Sequence, residues 1–425
     1  MAGNVFVGYP STYSAGMSNL GFHFLFRGLR SSPFIRVERF FTDTAPLTLE
    51  SGSRISASPV LFFSVSYEED YLNMARILER SGIPASRSLR GRKPLVIAGG
   101  PAPSANPFPL SEIADIISLG EGEQTLEVIS GYLAEIGSND PEGLAGKLAG
   151  LDGIYIPGLT EDRMKFSRPA RIEEFPFSFA VTPETAFGDM MLIETGRGCP
   201  GSCIFCLSGS IQSPLRFMSL EQFTGQLSRI PGFPGKVERV GMVSTSIAAN
   251  PDFESMVEHL LEQEVMPSFS SLRAQDISRV PADLIRRTGI RSAALAPESG
   301  SQRGRYLLGK CVDDETFFAA AGVLAGGGVE RLVIYLLTGY PGEDEEALSR
   351  TGLFLNRLKE VSRGARLEIH INTVVPKPWT PLQFYPLPAP GKLKERAEEL
   401  ARICRECGTV KIKSVRSALR QAVLS

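Results

Sequence analysis

The sequence predicts an α/β protein: an N-terminal doubly wound parallel sheet, then a partial (β/α)6 barrel, then a short C-terminal extension. Three observations carry this. Short apolar, β-rich runs alternate with helix-spaced segments along most of the 425 residues, the pattern of parallel βαβ units. Polar, glycine-rich stretches follow the strand runs, which is where such a sheet places its ligands. One irregular stretch, residues 139–189, breaks the alternation with Pro141, Pro157, Pro169, Pro176 and Pro183 and marks a linker. The expected domains are therefore 1–170 with a linker to 189, then 190–385, then 386–425.

In the first part, residues 4–8 read as a buried strand closed by Gly8-Tyr9-Pro10. A helical stretch runs from Gly16 to about Leu29. Strands are expected at 34–41, 59–66, 94–98 and 115–119. Residues 67–80 place Tyr71, Met74, Ala75 and Leu78 at helical spacing. Gly99-Gly100-Pro101 and Gly120-Glu121-Gly122-Glu123 close two of the strands.

In the second part, strands are expected at 190–193, 237–243, 266–270, 292–296, 331–337 and 367–375. Helices are expected at 220–230, 253–262, 282–288, 313–325 and 345–358. Six repeats suit a (β/α)6 barrel, with its site at the strand C-termini. The extension holds a charged helix over about 392–407. Lys411, Lys413, Arg416 and Arg420 read as a solvated helix face.

The chemistry concentrates in Cys199-Pro-Gly-Ser-Cys203-Ile-Phe-Cys206, just after an apolar run. A zinc ribbon would need a second CxxC pair at a suitable distance. The spacing suits three corners of a [4Fe–4S] cube whose fourth iron has no cysteine. An open iron needs a small chelating ligand and reducing surroundings, so the expected compartment is cytoplasmic. Cys311 stands alone. Cys404 and Cys407 form a lone CxxC, too few ligands to close a metal site.

Composition excludes other classes. Apolar content is 43% and formal net charge is -2, with no dense basic stripe, so a nucleic-acid partner is not favoured. Six cysteines in a chain of this length make no disulfide framework. The start lacks the pattern of a signal peptide. Apolar runs such as 332–337 are too short to span a bilayer, so no membrane partner is expected.

The Cys run resembles the CxxxCxΦC signature of radical S-adenosylmethionine (SAM) enzymes, with Phe205 as the aromatic. Further stretches resemble one group of them, those with an N-terminal cobalamin-binding domain. They are Gly16-Met-Ser-Asn-Leu-Gly21, Ser64-Val-Ser-Tyr-Glu68, Ala98-Gly-Gly-Pro-Ala-Pro-Ser-Ala-Asn-Pro107 and Gly120-Glu-Gly-Glu123. In the barrel they are Ser271-Leu-Arg-Ala274, Ala296-Pro-Glu-Ser299, Gly339-Tyr-Pro-Gly-Glu343 and Val375-Pro-Lys-Pro-Trp-Thr-Pro381. The resemblance implies a cobalamin-binding-like sheet before a radical SAM barrel.

It also implies roles. Cys199, Cys203 and Cys206 would hold the cluster, and SAM would chelate the open iron. Ser271 and Arg273 would lie near the SAM ribose and carboxylate, and Glu298 near the ribose hydroxyls or amino group. Ser244 would approach the methionine end, in a stretch without a Gly-Gly-Glu. Tyr340, with Glu298 the second candidate catalytic residue, would reach the open side of the cluster. Trp379 would wall the substrate site. Cobalamin would contact Tyr13, Met17, Ser18, Asn19, Ser64, Ser66, Tyr67, Gly99, Gly100, Pro101, Gly120, Glu121 and Gly122. The chain has three His, at 23, 259 and 370, none in an Asp-x-His-x-x-Gly context, so cobalamin is expected without an axial His.

The implied activity is methyl transfer from SAM, by way of cobalamin, to an unactivated carbon. An external electron donor is implied. The acceptor would be a small molecule or a protein side chain, as in the glutamine C-methyltransferase of methyl-coenzyme M reductase. Ring closure or rearrangement with the same cofactors is a second reading. A third is a transfer-RNA methylthiotransferase, which would resemble a chain with three further N-terminal cysteines; none precedes Cys199. A plain iron–sulfur electron carrier is a fourth, disfavoured by the open iron and the barrel.

Overall fold

The computed structural model describes residues 3–31, 35–91, 93–136, 140–160, 164–168, 171–230, 232–269 and 272–425. The chain divides into two compact units, Met1–Leu192 with Leu424–Ser425, and Ile193–Val423.

The first unit is built on six strands: β1 (Gly3–Tyr9), β2 (Ile35–Phe41), β3 (Val60–Ser64), β4 (Leu95–Gly99), β5 (Ile116–Ser118) and β6 (Ile154–Tyr155). Their order is β2-β1-β3-β4-β5-β6. The first five are parallel, and β6 joins antiparallel to β5. Side chains alternate between two cores, as pleated strands require. Val5 and Val7 face Phe22, Phe26, Leu126 and Ile129 on one side. Phe6, Leu61 and Phe63 face Tyr71, Met74 and Ile77 on the other. Helices thus cover both faces, as in a doubly wound fold. The order reverses between β1 and β3, and ligands of such sheets bind outside the strand C-termini at that switch point.

Two details differ from the sequence reading. The helical stretch at 16–29 is broken: a short helix Tyr13–Gly16 ends, and Asn19 caps a new one, Leu20–Arg30, by accepting from Phe22 N at 2.9 Å. The linker region is more ordered than its prolines announce. It holds the helix Pro141–Leu148, capped by Asp140, and the strand β6. Proline at the first helical turn starts a helix rather than breaking one.

Strand β7 (Met190–Glu194) leads into the second unit, where a small antiparallel pair follows, β8 (Gly196–Arg197) with β9 (Arg216–Phe217). Then follow β10 (Arg239–Val243), β11 (Met266–Phe269), β12 (Ser292–Glu298), β13 (Arg331–Thr338), β14 (Arg366–Thr373) and β15 (Thr409–Ile412). Among the described residues they form a sheet β11-β10-β7 and a parallel sheet β12-β13-β14-β15. The six expected strands are present, separated by helices. Along β13, Leu332, Ile334, Leu336 and Thr338 are buried and the residues between them only partly so.

The seventh strand corrects the reading of the extension. Lys411 lies on β15, not on a helix, and its Nζ meets Glu368 at 2.6 Å. Lys413 N donates to Ile371 O at 2.9 Å. A four-residue edge strand with charged members carries too little apolar alternation to be seen in sequence. Arg416 and Arg420 do fall on a helix, Val415–Leu424.

Candidate functional site

The Cys loop runs between β8 and the short helix Leu207–Ile211, which Cys206 caps. Gly198 makes its entry. It sits at φ +88°, and a Cβ there would come within 2.7 Å of the carbonyl oxygens of Gln212 and Pro214. Only glycine fits both constraints. Cys199, Cys203 and Cys206 are all free and partly buried. Burial pushes the Cys203 thiol up to about 11; Lys310 opposes this, and Cys206, Glu298 and Cys199 add to it. Those five groups therefore share one neighbourhood.

Among the described residues, no three His, Cys, Asp or Glu side chains converge tightly enough for a single metal ion. A cube holds its thiolates farther apart than an ion does. Gly201 keeps the loop backbone close to two of the sulfurs: a Cβ added there would lie 3.4 Å from Cys199 Sγ and 3.9 Å from Cys203 Sγ. Gly201 N also donates to Cys199 Sγ at 3.4 Å, a bond that strengthens when the sulfur is a thiolate. The donor set, three thiols on one short loop, fits a three-cysteine cluster.

The barrel side of the loop is also built. Ile204 N donates to Leu308 O at 3.0 Å, and Leu382 N donates to Ile204 O at 3.2 Å. Ile204 and Phe205 pack on the buried cluster Leu308, Tyr340, Val374 and Leu382. Ser246 Oγ reaches Cys199 Sγ at 3.6 Å and accepts from Arg273 Nη1 at 3.4 Å. Ser244 is buried and takes the Ser246 N–H at 3.2 Å. Arg273 is in turn held at 3.5 Å from Asp276, whose carboxyl burial raises. Ser246 thus links Arg273 and Ser244 to Cys199. Ser271 lies outside the described residues.

Glu298 ends β12 at φ +66°, beyond a register shift that starts at Leu295. The irregularity re-aims its side chain, as bulges at strand ends do. Burial raises its carboxyl, and Lys310 at 3.1 Å pulls the other way. Tyr340 is buried, and its hydroxyl shares a 2.9 Å hydrogen bond with Ser299. Burial raises that hydroxyl to about 12, so it remains a neutral group tied into the wall behind Phe205. Trp379 is half-exposed at φ +63°.

In the first unit, the remaining candidates gather around the strand C-termini. Asn19 Nδ2 donates to Ser66 Oγ at 3.0 Å, joining the loop after β1 to the loop after β3 at the switch point. Ser18 Oγ donates to Ser14 O at 2.7 Å, and Met17 is buried. The Tyr13 ring packs edge-on to Phe41. Tyr67 is 65% exposed. Ser64, Gly99 and Ser118 stand in register across β3, β4 and β5, a row of small residues near the strand C-termini. Pro101 begins a short helix after Gly100. Gly120 N donates to Ser104 Oγ at 2.7 Å, and Glu121 beside it is buried. Gly122 has open space where a side chain would stand.

His23 is fully buried. Its Nδ1 accepts from Phe179 N at 3.2 Å, so Nε2 carries the proton and donates to Met17 O at 2.9 Å. Both ring nitrogens are used, and neither is left for a metal. His370 Nε2 is likewise engaged, with Glu368 at 2.7 Å.

Sequence reasoning missed Lys310, Ser246 and Ser118. None stands in a telling spacing, and each owes its place to the turn or register that carries it.

Residues 193–355 match the family described as Radical SAM superfamily, and residues 21–157 match Radical SAM proteins, N-terminal. The chain belongs to the radical SAM superfamily. Its cofactors as a radical SAM enzyme are a [4Fe–4S] cluster and SAM. An uncharacterised protein of Methanocaldococcus jannaschii is 28% identical over 430 residues, covering 100% of this chain and 89% of that one.

Among solved structures, the cobalamin-dependent S-adenosylmethionine radical enzyme OxsB, with aqua-cobalamin and SAM bound, aligns with TM-score 0.60 at 18% identity. That alignment covers 94% of this chain and 56% of OxsB. The apo, selenomethionine-labelled form of OxsB aligns with TM-score 0.59 at 18% identity, over 83% and 51% of the two chains. This radical SAM chain thus spans about half the length of OxsB, and the likeness shows a shared fold. Among the described residues, no helix is long and apolar enough to cross a membrane.

Proposed function

We propose that this radical SAM enzyme is cobalamin-dependent and methylates an unactivated carbon of a small molecule or of a protein side chain such as glutamine. One observation carries the cobalamin reading: the in-register row Ser64, Gly99 and Ser118 beside the Asn19–Ser66 bridge, at the switch point of a doubly wound sheet. Small residues at these strand ends keep side-chain bulk low where a large planar ring system would lie. The likeness of fold to about half of OxsB, over 94% of this chain, supports it.

Cys199, Cys203 and Cys206 hold the cluster in this reading. Cluster and SAM together supply a carbon-centred radical, and cobalamin, when bound, supplies a methyl carrier. The chain's own residues bind and orient. Arg273, steadied by Ser246 and Asp276, offers a cation for the SAM carboxylate. Glu298, kept from water, offers an acceptor for the ribose hydroxyls or the amino group. Phe205 closes the cluster loop against the Tyr340 wall and keeps water out. No side chain is needed to move a proton during hydrogen abstraction. His23 would not serve as a ligand to cobalt, because both of its ring nitrogens are bonded to backbone groups. An external donor supplies the electrons.

The test is anaerobic purification, reconstitution with iron, sulfide and hydroxocobalamin, and a combined iron, cobalt and ultraviolet–visible measurement. About four irons and one cobalt per chain are expected. A full cluster with no retained cobalt would sink the cobalamin reading. SAM with a labelled methyl group then separates methylation from ring closure, since only methylation leaves the label in the product.

A further inference from the structure

We propose that Arg305 is a positioning residue: it pins the segment 299–312 on which the Cys199–Cys206 loop rests, and so sets how well the site takes SAM. The SAM part of this inference rests on the reading above; the pinning does not.

Arg305 is fully buried, the largest side chain to be so among the described residues. A buried guanidinium is tolerated only when its donors are matched. Here Nη1 donates to Ser299 O at 3.0 Å, Nε donates to Val312 O at 2.8 Å, and Nη2 pairs with Asp314. The cation also lies 5.3 Å from the Phe317 ring centre and 5.2 Å from that of Phe354. One planar group thus ties both ends of the segment together. Ser299 directly follows Glu298. Val312 directly precedes Asp313, which caps the helix Asp314–Gly326.

What the closed segment carries is the support of the site. Leu308 O takes the Ile204 N–H at 3.0 Å. Gly309 O takes the Ser202 hydroxyl at 3.3 Å. Gly309 itself lets the two backbones meet, since a Cβ there would lie 2.5 Å from Ser202 O. Lys310 N donates to Arg305 O at 2.8 Å, and Lys310 Nζ reaches Glu298 at 3.1 Å. Every one of these groups would be free to drift if the ends at 299 and 312 came apart. An apolar residue at 305 could fill the same volume, and a buried ion is rarely the more stabilising choice. Its geometry, a fork that bonds two carbonyls at once, is what an apolar side chain lacks.

The experiment compares Arg305→Met, Arg305→Lys and Val257→Ala in the cluster-loaded protein. Val257 is a fully buried residue on the helix Phe253–Glu262, outside the 299–312 segment and the Cys loop, and serves as a stability control. Three quantities are read: iron per chain, the SAM dissociation constant, and amide hydrogen exchange at Ile204 and Lys310. In Arg305→Met the two amides should exchange at least about tenfold faster, and SAM should bind about tenfold more weakly, as expected when two buried carbonyls lose their donors. Val257→Ala should lower the melting temperature and change neither.

A single ammonium cannot bridge both carbonyls, so Arg305→Lys should show the same losses in smaller measure. If Arg305→Met does not fold, Arg305→Lys decides. Wild-type exchange and wild-type SAM binding in a folded Arg305 variant would overturn the inference, as would equal changes in Val257→Ala. Faster exchange with unchanged SAM affinity would overturn its SAM part. Failure of the wild-type protein to bind SAM would instead count against the reading of function.

Discussion

Lys310 Nζ stands 3.1 Å from Glu298 Oε1, with 19% and 11% of the two side chains exposed. Each is a poor neighbour for the apolar wall around it and a good one for the other. Removing one partner leaves a buried, unmatched charge. Lys310→Met and Glu298→Gln are each expected to cost about 3–5 kcal/mol of stability, with the double variant recovering part of the loss. Urea unfolding of the four proteins checks this. Additive losses would mean that the pair is not coupled. Lys310→Met should also raise the Glu298 carboxyl further, since it removes the group that lowers it.

Cys199→Ala, Cys203→Ala and Cys206→Ala should each abolish SAM cleavage and strip cluster iron. Cys404→Ala should leave iron unchanged, because Cys404 is buried on the helix Pro390–Arg405. Iron analysis and 5′-deoxyadenosine formation are the readouts. Loss of about a whole cluster's iron in Cys404→Ala would show the three-cysteine assignment to be incomplete.

Gly198→Ala should damage the cluster loop without touching a thiol. The added methyl meets the Gln212 and Pro214 carbonyls at 2.7 Å, on a backbone already at φ +88°. A cost of at least about 2 kcal/mol is expected. Iron retention below that of Gly146→Ala, where nothing lies within 4 Å of the new Cβ, is the outcome to measure.

Two buried groups of the first unit, His23 and Asp70, respond to acid with opposite sign. Burial lowers His23 from 6.5 to about 4, with Arg39 and Arg27 adding to it against the hydrogen bond to Met17. Its stabilising contribution is present above 6.5 and is lost as pH falls toward 4, because the unfolded chain takes up the proton first. Burial raises Asp70 from 3.8 to about 6, against hydrogen bonds from Tyr67 and Ser66, with Glu68 and Glu69 adding to it. Its contribution runs the other way, present below 3.8 and lost as pH rises through 6. Each shift is worth about 3 kcal/mol, so the two nearly cancel. Asp70→Asn should therefore lose stability on acidification from pH 7 to pH 4.5, and His23→Gln should gain it. Urea midpoints across that window test both signs. Parallel behaviour of the two variants would show the burial account to be wrong.

The Cys loop and the strand–helix alternation were legible because both are local. Thiol spacing is a property of eight consecutive residues, and apolar periodicity needs only one turn or one strand. The linker was misread for an equally local reason. Prolines at 141 and 157 mark boundaries, but a boundary signal does not say whether order resumes beyond it. The strand β15 escaped because an edge strand with Lys411 exposed has almost no burial pattern to leave in its sequence.

The sequence by itself determined the class of chemistry: three thiols at a spacing wrong for a zinc ribbon and suited to three corners of an iron–sulfur cube, with motifs of the radical SAM superfamily. Tertiary structure alone decided which side chains support that chemistry. Lys310 comes to Glu298 only through the turn that follows the helix Gln302–Leu307. Ser246 meets Cys199 across 47 residues of chain. His23 is used up by backbone groups at Met17 and Phe179, the second 156 residues away. A hydrogen bond or buried ion pair depends on where distant backbone is brought in space. Spacing along a chain records that only when both partners sit on the same element.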